Sequence, residues 1–156
     1  MNTIDQLPEP VASALELLFQ TDDPDMIDKG YNQLKTLADG GDMTAAACLG
    51  YASQFEHIHY DLEICKTYLQ MSANANNPLG QYYLGTMLFL GEEPFGEDKI
   101  LGKWMIYQAE KAGIQEATIF KDNCNRKLAP EEARKMVIKA SLSLIWEKIK
   151  HPFGCG

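Results

Sequence analysis

Apolar and small residues recur along this chain at helical spacing, and the spacing itself comes back in successive stretches. Val11, Ala14, Leu15, Leu18 and Phe19 predict a first helix from Val11 to Gln20. Thr21, Asp22, Asp23 and Pro24 offer a turn with caps, and Gly30, Leu34, Leu37 and Ala38 mark a second helix from Asp25 to Ala38, stopped by Gly40 and Gly41. The same reading predicts helices over Thr44–Phe55, Asp61–Ala75, Leu79–Leu90, Asp98–Ala112 and Gln115 to about Lys127. A last amphipathic helix runs to about Lys150, with Met136, Val137, Ala140, Leu144 and Ile145 on one side and bases on the other.

Two of these stretches are near copies. A shift of 35 residues lays Ala45, Leu49 and Gly50 on Gly80, Leu84 and Gly85. A shift of 37 lays Asp61, Lys66, Leu69, Ser72 and Asn76 on Asp98, Lys103, Ile106, Ala109 and Gly113. Small residues on adjacent helical turns let a neighbouring backbone come close. Asp61 and Asp98 suit the N-cap of each second helix, and Asn76 and Gly113 tolerate the left-handed conformation that closes one. A period in the mid-thirties is the sequence mark of a helical solenoid.

These residues resemble the Sel1-like repeat, a relative of the tetratricopeptide repeat, over roughly residues 25 to 140. The pattern is carried by Ala45, Leu49, Gly50, Asp61, Cys65, Tyr68, Ser72, Ala73 and Asn76, and again by Gly80, Leu84, Gly85, Gly91, Asp98, Gly102, Met105, Ala109, Gly113 and Ala117. Glu56, His57 and Ile58 stand where the family has glycines in its first turn. The resemblance implies an all-α fold, a short right-handed α-α superhelix with a C-terminal capping helix. Its expected layout is one domain over residues 1–156: an atypical N-terminal unit (11–40), repeats (44–76 and 79–113) and a cap (115–150). In related repeats the first helices line a concave groove, which implies partner-binding candidates at Tyr51, Gln54, Phe55, Tyr82, Thr86 and Phe89. A short solenoid can also curl enough to bury Phe55, Phe89 and Leu90 in its own core.

Charge narrows the choice of partner. Residues 1–120 hold 18 acids and 6 bases, and residues 121–156 hold 4 acids and 8 bases. An acidic body repels phosphate backbones, so nucleic acid is not the expected partner, and a basic protein or peptide is. Acids that simply solubilise a small helical protein explain the same numbers. No apolar run approaches the roughly 18 residues of a membrane span, and Met1–Pro10 carries acids where a secretory leader carries bases, so the expectation is a cytoplasmic protein without membrane attachment.

Candidate chemistry is sparse. Four cysteines, at 48, 65, 124 and 155, lack CxxC spacing and read as structural thiols. His57 and His59 form an HxH pair in a predicted loop, but no third and fourth ligand follow at a metal-site spacing. Nucleophile elbows, phosphate loops and dinucleotide fingerprints are missing. The expectation is therefore a non-catalytic protein-binding module with neither cofactor nor metal. An adaptor, an immunity-type inhibitor of a basic toxin and, further off, a metal-dependent enzyme are the forms considered.

Overall fold

A computed structural model describes residues 7–125. The first six residues, the predicted helix that ends near Lys150, and the tail with Cys155 lie outside the described residues. Those described form seven helices and no strand: α1 (Glu9–Phe19), α2 (Pro24–Asp39), α3 (Met43–Ala52), α4 (Leu62–Asn74), α5 (Pro78–Leu90), α6 (Lys99–Lys111) and α7 (Gln115–Asn125).

Local chemistry explains where most of them start. Asp61 accepts hydrogen bonds from the backbone N–H groups of Glu63 and Ile64, both at 3.1 Å, and Asp98 accepts from Leu101 N at 3.0 Å. Asp23, Asp42 and Asn77 do the same for α2, α3 and α5. Each satisfies donors that the helix leaves without a carbonyl partner. Pro24 and Pro78 occupy first-turn positions, where a missing N–H costs nothing. At the far ends, Asn76 (φ 60°), Gly91 (φ 71°) and Gly113 (φ 97°) take the left-handed conformation that reverses the chain.

Among the described residues, two boundaries differ from the pattern by more than one residue: α1 starts at Glu9 instead of Val11, and the larger difference is in the third helix. The third helix stops at Ala52 instead of reaching Phe55. The buried Ser53 hydroxyl donates to the Leu49 carbonyl at 2.8 Å and lies 3.0 Å from the Tyr31 hydroxyl, while the Ser53 carbonyl accepts Asp61 N at 2.9 Å. A side chain that bonds its own preceding turn competes with helix propagation. Gln54 and Phe55 consequently sit in a turn.

Each helix packs on the next in sequence, and α3 also packs against α5. The closest approaches use the small residues. A Cβ on Gly50 of α3 would lie 2.7 Å from Leu69 Cγ of α4, and a Cβ on Gly85 of α5 would lie 2.9 Å from Met105 Cβ and 3.1 Å from Ile106 Cγ1 of α6. Leu69 and Ile106 are the pair related by the 37-residue shift, so both helix pairs close on the same contact. Polar bonds hold α3 to α4 and tie one pair to the next. Ser72 Oγ donates to the Met43 carbonyl at 2.7 Å, Asn77 Nδ2 donates to Thr44 Oγ1 at 3.1 Å, and the Tyr68 hydroxyl donates to Asp39.

Candidate functional site

Three of the six groove candidates are core residues. Tyr51 is 3% exposed, Tyr82 0% and Thr86 1%. The physical reason is that α3 and α5 meet along the face expected to line a groove. Tyr51 and Tyr83 stack with ring centroids 4.3 Å apart and planes 15° apart, Phe55 meets Tyr51 edge-on at 5.2 Å, and Tyr82 lies 5.6 Å from Tyr83. Offset and edge-to-face pairs of this kind add to the area that they bury. Thr86 donates to the Tyr83 carbonyl at 3.0 Å, a bond inside its own helix. Gln54, Phe55 and Phe89 are half-buried, and Phe89 meets Phe120 of α7 edge-on at 5.5 Å.

Three titratable groups inside this core are held neutral. Burial pushes the Tyr83 hydroxyl well above its ordinary value and the Cys48 thiol up to about 12; burial alone does the same to Cys65. Neither thiol is a nucleophile at neutral pH. The two histidines of the HxH pair turn to aromatic neighbours. His59 stacks on Tyr31 at 4.4 Å and His57 lies 5.7 Å from Phe55. Among the described residues, no group of three or more His, Cys, Asp or Glu is placed to hold a metal ion.

The surface feature that the pattern missed lies on α6. Gly102, Met105, Ile106 and Ala109 form its buried face. Opposite them, Ile100 is 86% exposed, Trp104 53% and Tyr107 50%. With Lys111 these positions follow i, i+4, i+7 and i+11, a single line along the outside of the helix. The matching positions of α4 are Glu63, Thr67, Gln70 and Asn74, and those of α2 are Asp28, Asn32, Lys35 and Asp39, all exposed and polar. One helix of three in the same setting therefore carries an apolar, aromatic outer face. The signal was present in the sequence, but only as a departure between units at positions that do not shape the packing.

Beside this line, between α6 and α7, lies a cavity of about 260 Å³ with Phe89 and Phe120 among its walls and Lys103, Tyr107 and Lys121 at its edge. Lys121 Nζ bonds Glu110 at 2.8 Å, which holds the Glu110 carboxyl below its ordinary value with help from Thr118. Lys111 Nζ lies 5.4 Å from the Tyr107 ring centroid and Lys99 Nζ lies 5.9 Å from that of Phe89, both within cation–π range. Among the described residues, Lys103 forms no ion pair.

Compared with known proteins, the chain matches no family model, no curated protein and no solved structure. Among the described residues, no helix is long and apolar enough to cross a membrane.

Proposed function

We propose that this chain is a non-catalytic protein-binding module, a short right-handed solenoid of Sel1-like helix pairs that docks another protein on the outer face of α6. The observation that carries the reading is the exposure of Ile100, Trp104 and Tyr107 where α2 and α4 present only polar side chains. Leaving a tryptophan half in water forgoes burial free energy, and exposed aromatic groups of this kind are the anchors of protein interfaces. Equivalent seams at Gly50–Leu69 and Gly85–Ile106 support the repeat architecture. The half-buried Gln54, Phe55 and Phe89 remain candidates for the rim of an inner contact.

The direct test places a photo-crosslinking amino acid at position 104 and, separately, at the matching position 67, with both proteins exposed to extract of the source cells. A discrete adduct from position 104 alone is the expected result. Equal or absent adducts from both positions would remove α6 as the docking face.

A second reading rests on charge. Residues 1–98 hold 16 acids and 3 bases, a field suited to steering a basic partner, and an immunity-type inhibitor of a basic toxin would use it. Association that is insensitive to salt between 50 and 300 mM, chosen to bracket about one Debye length of 10 Å, would count against it.

A further inference from the structure

Taking α6 as a protein-docking face, we infer that its partner presents an acidic amphipathic helix, whose apolar stripe lies along Ile100, Trp104 and Tyr107 and whose carboxylates meet Lys103 and Lys111.

Shape points to a helix. The four positions from Ile100 to Lys111 span about 16 Å at 1.5 Å per residue, a straight ridge three turns long. A ridge of this form is complementary to the apolar stripe of a second helix, which is read at the same i, i+4, i+7 spacing. The neighbouring cavity is about 260 Å³, has Phe89 and Phe120 in its walls, and lies below the roughly 300–1,000 Å³ typical of small-molecule sites. It has room for one large apolar side chain of the partner, which would anchor the helix from the α7 side.

Charge selects the sign. Bases are rare in the first 98 residues, yet residues 99–121 hold four bases and two acids, and one of those acids, Glu110, already bonds Lys121. Lys103 and Lys111 flank the exposed aromatic rings, and the one acid of α6, Glu110, is bonded by Lys121 of α7. A basic helix laid here would meet like charge, and so would a second copy of the same face. An anionic membrane surface would present the same sign of charge as an acidic helix, so anionic vesicles enter the test as the competing outcome.

The test uses two synthetic helical peptides of about four turns with the same Leu/Phe stripe, one flanked by Glu and the other by Lys. Binding is read by anisotropy of the labelled peptide with the unaltered chain, and by Trp104 emission in a Trp146→Phe variant, which leaves Trp104 as its sole tryptophan. The Glu peptide should bind about tenfold or more tighter than the Lys peptide, shift Trp104 emission to the blue and weaken as salt rises. Lys103→Glu with Lys111→Glu should cost about tenfold, whereas Lys29→Glu with Lys66→Glu, an equal change in net charge, should leave binding unchanged. Equal binding of the two peptides, preference for the Lys peptide, no binding of either below roughly 1 mM, or a Trp104 shift on phosphatidylserine vesicles without one on the Glu peptide would each overturn the inference. If both peptides bind equally and both are lost in Ile100→Ser with Trp104→Ser, the acidic partner is wrong while α6 remains the docking face.

Discussion

Gly85 of α5 and Gly102 of α6 oppose each other so closely that a Cβ added to Gly102 would lie 2.7 Å from the Gly85 carbonyl oxygen and 2.7 Å from Phe89 N. Both atoms belong to backbone, which cannot rotate aside. Gly102 therefore sets how near α6 approaches α5, and with it the position of the aromatic line that α6 presents outward.

Replacing Gly102 with Ala should destabilise the fold by about 1–3 kcal/mol, despite the ~0.5–1 kcal/mol that alanine ordinarily gains over glycine inside a helix. Gly40→Ala, where the nearest atoms would be 3.4 Å from the new carbon, serves as a mild control. Urea titration followed by circular dichroism measures both. A Gly102→Ala protein as stable as the parent would mean that α5 and α6 are further apart than described.

The caps give a graded series. Asp61→Ala removes an acceptor used by two N–H groups, and Asp98→Ala removes one used by a single N–H. Each should cost about 1 kcal/mol, with Asp61 the larger of the two. Replacement by Asn should restore most of the loss, since its side-chain oxygen accepts the same bonds.

Two buried tyrosines should respond in opposite ways to loss of the hydroxyl. Tyr31 lies 3.0 Å from Ser53 Oγ, so Tyr31→Phe removes a buried hydrogen bond, although Ser53 keeps its bond to Leu49, and should cost about 1 kcal/mol. Among the described residues the buried Tyr83 hydroxyl has no hydrogen-bond partner, so Tyr83→Phe should be neutral or stabilising by up to about 1 kcal/mol. Tyr83→Ala, which also breaks the stack on Tyr51, should cost about 3–5 kcal/mol. Thermal and urea melts of the three variants check the order.

Acid should loosen the junction between α2 and α4. The Tyr68 hydroxyl first, and Lys35 second, hold the Asp39 carboxyl below its ordinary value of 3.8. A carboxyl whose folded value lies below its unfolded value stabilises the fold above the unfolded value, and that contribution drains away as pH falls through the folded one. Asp39→Asn should therefore be less stable than the parent at neutral pH, and the difference should shrink below about pH 4. Because Lys35 and Asp39 are about half exposed, the effect should also weaken in salt. Melting curves from neutral to acid pH, with and without salt, test both statements.

Much of the scaffold was legible in the residues because it is decided locally. Asp61 and Asp98 cap because a carboxylate beside free N–H groups is stabilised whatever lies around it, and Asn76, Gly91 and Gly113 turn because few residues accept their backbone angles. Even the close seams could be anticipated, since only a small residue lets Gly50 or Gly85 meet the next helix. Which faces met water was another matter. Tyr51 and Tyr82 have the composition of an interface, yet packing of α3 against α5 buries them, while Trp104 and Tyr107 occupy positions that are polar in both sister helices. Burial of a side chain depends on how far neighbouring helices approach and tilt, a sum over contacts distant in the chain. Spacing along one helix says which residues share a face, and only the packed structure says whether that face looks inward or out.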